Sequence, residues 1–201
     1  PSLETRSVSV PLEIDGQPLR VEGTVPCPVN GQLVYVFASS AIKPTDRLRA
    51  MLDAVCLALG EPEPTSVEAV HLVASKGSRV ELPLLAEARA WLEGLVRVYL
   101  DGRRRALRLF PRSSFAVAEA LAEGKGALAA ARAGSREYFT EPFNGAAGEF
   151  QAPAIQLFFA DDPFFAGAEP HPEALELAAR VFGPLVDAPP EGKKTKGRKK
   201  P

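Results

Sequence analysis

The apolar residues of this chain recur with a period of two up to Leu82, apart from one helical interruption, and with a helical period after Pro83. Val8, Val10, Leu12 and Ile14 alternate with Ser7, Ser9, Pro11 and Glu13, which puts four apolar side chains on one face of a strand. Asp15-Gly16 supplies turn residues, so a hairpin follows with Leu19 to Val25 as its returning strand. Leu33 to Ala38 is a third strand, reached through Pro26, Pro28 and the turn pair Asn30-Gly31. It is apolar on both faces, which predicts a central position in a sheet. Pro44-Thr45-Asp46 starts a helix in which Leu48, Met51, Leu52, Val55 and Leu59 share a stripe until Gly60. Val67 to Ala74 and Ser78 to Leu82 then form a strand pair around Lys76-Gly77.

Beyond Pro83 the reading is helical. Leu85, Ala88, Leu92, Leu95 and Val98 mark a long helix ending near Asp101-Gly102, and Ser113 or Ser114 is placed to cap a second carrying Phe115, Ala118 and Leu121. Ala127 to Ala133 is a third helical stretch, and Pro172 to Val186 a last one, with Leu175, Ala178, Phe182 and Leu185 on one stripe. Strands first and helices afterwards predict an α/β chain of the α+β type, with a helical C-terminal part.

At 201 residues and 46% hydrophobic, the chain can bury a core, and no apolar run reaches the ~20 residues of a membrane span. A chain that opens on Pro1 is expected to be a piece of a longer polypeptide, and the expectation is a soluble, cytoplasmic protein without membrane contact. The two cysteines, Cys27 and Cys56, form no CxxC, and the two histidines, His71 and His171, lie apart from them, which excludes zinc-finger and disulfide frameworks. Gly124-Lys125 and Gly192-Lys193 lack the other residues of a phosphate-binding loop, and no GxSxG elbow occurs. No cofactor is expected.

The net charge of −1 conceals an asymmetry: the last nine residues hold six Lys or Arg and no acid, so the rest of the chain carries −7. The tail that includes Lys193 and Lys194 has no apolar residue and is expected to be disordered, with loose phosphate attraction as its functional reading and a solvated terminus as the plain one. Arg103, Arg104, Arg105, Arg108 and Arg112 are the only dense positive patch before it. They alternate with Leu107, Leu109 and Phe110, so they could contact DNA phosphates beside an apolar anchor or simply pair with the acidic body. Phe143, Phe158, Phe159, Phe164 and Phe165 belong to an aromatic-rich stretch that reads either as local core or as an anchor for a partner protein.

Three stretches together resemble the C-terminal domain of the RecC family, the gamma subunit of exodeoxyribonuclease V. The first runs from Leu19 to Leu59 and includes Glu22-Gly23-Thr24-Val25 and Lys43-Pro44-Thr45-Asp46-Arg47-Leu48-Arg49. The second runs from Leu84 to Phe115, where Trp91-Leu92 precedes Leu107-Arg108-Leu109-Phe110-Pro111-Arg112-Ser113-Ser114, similar to that family's "PLPFFPKSS" segment. The third is Ala174 to Val186. Arg136 to Gly148 departs from the family pattern, and the basic tail is peculiar to this chain.

The resemblance implies a restriction-endonuclease-like, PD-(D/E)XK-type mixed sheet flanked by helices, formed by residues 1–187 and followed by the tail 188–201. Active relatives carry an acid after a Gly on one strand, an acid and a lysine on the next, and Gln and Tyr on the following helix, which together hold magnesium and the attacking water. Here Pro26 stands in place of the first acid, Phe37 and Ser39 stand about where the second acid and the lysine should be, and the helix has neither Gln nor Tyr. Proline and phenylalanine cannot ligate a hard cation, so the implied active site is degenerate, with no catalytic residue and no metal. Glu22, Lys43, Asp15 and Asp46 are the nearest charged groups from which a shifted metal site could be built.

The expectation is therefore a non-catalytic structural and DNA-guiding domain of the RecBCD helicase-nuclease, which processes double-strand ends for recombinational repair. Its expected partners are a RecB-type subunit, with a RecD-type subunit as a further candidate, and double-stranded or forked DNA. An active metal-dependent nuclease and a free-standing protein-interaction module are the alternatives.

Overall fold

The computed structural model describes residues 4–61, 63–140 and 148–186. The period-two segments form β1 (Thr5–Ile14) and β2 (Gln17–Pro26), an antiparallel hairpin in which Val10 faces Val21 and Ile14 faces Gln17. Its two-residue turn has both central residues at positive φ, Asp15 at 53° and Gly16 at 75°, the geometry whose twist matches that of the strands. The second predicted turn, Asn30-Gly31, takes the same shape (φ 51° and 75°) and leads into β3 (Gln32–Phe37).

After α1 (Pro44–Leu59) come β4 (Ala69–Ala74) and β5 (Arg79–Leu82). β3 runs parallel to β4, and β5 is antiparallel to β4, so the three strands make a small mixed sheet of order β3-β4-β5. The expectation of a central third strand is corrected here. β3 is an edge strand, and Val34 and Val36 are exposed on the face away from α1. Apolar residues on both faces did not signal double burial, because helices cover only one face of this sheet among the described residues.

The helical half consists of α2 (Ala88–Gly102), α3 (Pro111–Ala122), α4 (Ala127–Tyr138), the short α5 (Pro153–Phe158) and α6 (Pro172–Phe182), with a minimal strand pair, β6 (Phe165–Ala166) and β7 (Glu169–Pro170), before α6. The result is an α+β architecture. None of these helices is long and apolar enough to cross a membrane.

Two clusters of buried side chains organise the molecule. One joins the inner face of the hairpin (Val8, Val10, Leu12) to Met51 and Val55 of α1, Trp91 and Leu92 of α2, and Val181 and Phe182 of α6. The other holds Phe110, Val117, Ala130, Tyr138 and Phe164 together with Ala174 and Ala178. α6 serves both, because residues four apart share a helix face: Ala174 and Ala178 meet one cluster, Leu177 and Val181 the other. Arg47 ties α1 to the end of the chain's fold, donating to the Leu185 carbonyl at 3.0 Å with its guanidinium 5.1 Å above the Phe115 ring.

The N-terminus of α3 differs from the sequence expectation. Helix α3 begins at Pro111 with Phe110 in the capping position, so Ser113 and Ser114 lie inside the first turn, both fully buried. The Ser114 hydroxyl accepts from the Phe110 N–H at 2.9 Å. The free donors of the first turn are satisfied from a distance: the Glu149 carboxylate accepts from the N–H groups of Arg112 and Ser113, each at 3.0 Å, and from the Ser113 hydroxyl at 2.5 Å. Replacing this acceptor, Glu149→Ala, is expected to lower unfolding free energy in urea by about 1–2 kcal/mol.

Helices α3 and α4 pack closely because Gly134 has no side chain. A Cβ there would lie 2.6 Å from Val117 Cγ2 and 2.8 Å from the Phe164 ring. Gly134→Ala gains roughly 1 kcal/mol of helix propensity but forces two buried groups apart, at about 1–3 kcal/mol, so a net loss of stability is expected. Gly94→Ala in α2, whose Cβ would meet only the flexible Arg180 side chain at 3.7 Å, is expected to stabilise by about 0.5–1 kcal/mol in the same melt.

Candidate nucleic-acid interface

Helix α2 stops at Gly102, and the chain turns through Arg103 to Arg105, whose N–H groups bond the Tyr99 and Asp101 carbonyls at 2.9–3.1 Å. The turn throws Arg103, Arg104 and Arg105 into solvent, while Leu107, Leu109 and Phe110 return to the core. The five arginines of this stretch then part company. Arg105 pairs with Glu173 and, at 3.7 Å, with Asp101. The Glu173 hydrogen bond, opposed by desolvation and reinforced by the Glu173 and Asp101 charges, raises the Arg105 guanidinium above its ordinary value. Arg108 lies 3.8 Å from the same Glu173, donates to the Pro163 carbonyl at 3.3 Å and stands 5.4 Å above the Phe159 ring. Arg112 is held by Glu137. Arg103 and Arg104 have no side-chain partner among the described residues.

The aromatic candidates divide in a similar way. Phe164 is fully buried against Phe110 and Tyr138, at ring distances of 6.0 and 6.2 Å, so as an anchor for a partner it is corrected: it is core. Phe165 is half-buried and packs on the same cluster, and Phe159 meets Phe110 edge-on at 5.2 Å. Phe158 alone of the described candidates projects outward, 70% exposed at the end of α5, beside Leu157 at 83%. Phe143, Lys193 and Lys194 lie outside the described residues.

The structure brings together what the sequence kept fifty residues apart. Arg103, Arg104, Leu107, Ile155, Phe158 and Phe159 line one open groove of about 560 Å³ between the arginine turn and α5. One wall carries unpaired positive charge and the other an exposed aromatic ring. At the edge of this region His171 precedes α6; burial, and then Arg108, pushes its pKa below the ordinary value, and its Nδ1 has no partner among the described residues.

The positions at which the resemblance implied a degenerate nuclease site are elsewhere. Pro26 closes β2 opposite Thr5, and Phe37 closes β3 opposite Ala74, with its ring 6.4 Å from that of Tyr35. The Ser39 hydroxyl donates to the Ala41 carbonyl at 2.7 Å. The residual charged groups are dispersed: Asp15 pairs with Arg97 at 3.5 Å, Asp46 accepts from the Lys43 N–H at 2.8 Å at the start of α1, and Glu22 lies 3.5 Å from the Ser9 hydroxyl. Among the described residues no three His, Cys, Asp or Glu side chains come together in a way that could hold a metal ion.

Sequence reasoning missed one half-buried polar pair. The Tyr35 hydroxyl donates to Asp53 of α1 at 2.7 Å, joining the sheet to the helix. Burial raises both pKa values, and burial with Asp53 nearby pushes the Cys56 thiol up to about 11. Only the presence of an acid on an otherwise apolar stretch of helix hinted at this contact.

A search of curated proteins returned no match to this chain. The family model described as the RecC C-terminal domain matches residues 1–122, which comprise β1 through α3 and the whole arginine turn. It ends before α6, so the resemblance at Ala174 to Val186 lies beyond the match. With more than half of its length covered, the chain belongs to the RecC C-terminal domain family.

Proposed function

We propose that this chain is a non-catalytic, structural and DNA-guiding domain of the gamma subunit of exodeoxyribonuclease V, and that it positions double-stranded or forked DNA ends for the other subunits. Family membership supports the role in DNA end processing and association with RecB-type and RecD-type subunits. In this reading residues 1–187 form a domain derived from a PD-(D/E)XK-type nuclease, and residues 188–201 are a basic appendage that adds sequence-blind attraction to phosphates. The residues at Pro26, Phe37 and Ser39 support the absence of cleavage, since proline and phenylalanine side chains cannot hold a hard cation and a serine cannot replace the lysine that assists the attacking water.

The observation that carries the DNA-guiding role is the pair Arg103 and Arg104, exposed and without ion pairs among the described residues, on a chain whose body is acidic. Arg105, Arg108 and Arg112 are occupied by Glu173 and Glu137 and serve mainly to hold the turn in place. Contacts from two arginines at a turn fix register on the backbone and carry no sequence information.

In a binding titration of forked DNA against salt, Arg103→Ala/Arg104→Ala is expected to weaken affinity and lower the slope of log K against log salt by about two, at roughly 0.9 per phosphate contact. An unchanged slope would remove the phosphate role. The chain is expected to co-purify with a RecB-type subunit, with or without the fork. With magnesium or manganese it should leave the fork uncut; cleavage abolished by Glu22→Gln would instead establish a shifted active site.

A further inference from the structure

The groove between the arginine turn and α5 must suit whatever meets both of its walls. Its charged wall, Arg103 and Arg104, fits phosphate. Its other wall ends in Phe158, an aromatic ring that is 70% exposed and next to an 83% exposed Leu157, although Phe159, Phe164 and Phe165 pack inward. A duplex has no use for that ring, because its base faces are stacked against one another and only its sugar-phosphate rim reaches a protein surface at such a site. An unpaired strand presents phosphates on one side and free base faces on the other, the same pairing of chemistries that the groove presents.

The neighbouring Phe159 shows which ring is available. Arg108 covers it at 5.4 Å and Phe110 meets it edge-on, so it is already engaged, and Glu173 takes the charge of Arg105 and Arg108. Among the described residues of the groove, what remains open is one ring and two cations. We infer that this groove binds single-stranded nucleic acid, with Phe158 stacking on one unpaired base and Arg103 and Arg104 holding the adjoining phosphates. The inference rests on the DNA-guiding reading and narrows it to the unpaired arm of a fork. Recognition by stacking tolerates any base, so no sequence preference is built in.

The test compares an oligo(dT) strand with a blunt duplex of the same length, using the full 201-residue chain, in which the basic tail contributes to both measurements. Phe158→Ala is expected to weaken oligo(dT) binding about tenfold and leave duplex binding unchanged, since the ring is exposed and its loss leaves no cavity. Phe158→Trp is expected to keep the affinity and to report binding by fluorescence quenching, against the buried Trp91 as an unresponsive background. Arg103→Ala and Arg104→Ala are each expected to reduce the single-strand salt slope by about 0.7.

Each contrary outcome separates the two readings. A reduced salt slope with Phe158→Ala weakening both DNA forms equally, or neither, overturns base stacking and leaves phosphate guiding intact. An unchanged slope overturns both. Loss of association with the RecB-type subunit in Phe158→Ala, without loss of oligo(dT), would make the groove a protein interface and overturn the inference.

Discussion

Phe164 seated against Gly134 is the contact on which the helical half depends. A fully buried ring occupies the space that a side chain on α4 would otherwise fill, and it touches Phe110 at the start of α3 and Tyr138 at the end of α4. Because interiors are close-packed, this fixes the path of the chain on either side of the ring. Upstream, it brings the Pro163 carbonyl within reach of Arg108 and leaves Phe158 outside; downstream, β6 and β7 lead directly into α6. Both walls of the groove are thus set by one packing decision inside the molecule.

Electrostatics then select among residues that look alike. Glu173, in the first turn of α6, sits where an acid is favoured by the helix dipole and takes two arginines at once. Glu149 does the same for the first turn of α3 through backbone donors, and Glu137 holds Arg112. These acids convert a dense positive patch into a braced turn whose tip carries two cations, Arg103 and Arg104, with no side-chain partner among the described residues. Exposed ion pairs of this kind contribute little to stability individually, so their main consequence is geometric.

β2 and β3 end in Pro26 and Phe37, while a half-buried hydrogen bond from Tyr35 to Asp53 fastens the sheet to α1. The half of the chain built from β1 to α3 carries the family signature. The second wall of the groove, α5, lies in the half that does not.

Much of the local structure was legible in the residues. Alternation gave β1 and β2, the Asp15-Gly16 and Asn30-Gly31 pairs gave their turns, and the helical stripes gave α1, α2 and α6, because these depend on neighbours a few positions away. The order of strands then helices was enough for the α+β class, and the motifs were enough for the family. The exposed edge of β3, the distant cap on α3, the burial of Phe164 and the division of the arginines into paired and outward-facing were not legible, since each depends on residues far away in sequence. The sequence by itself determined which segments become strands and helices and where the charge lies, through short-range sterics and periodicity. Only the tertiary structure decided which charges and rings are spent inside and which face outward, because that choice belongs to packing.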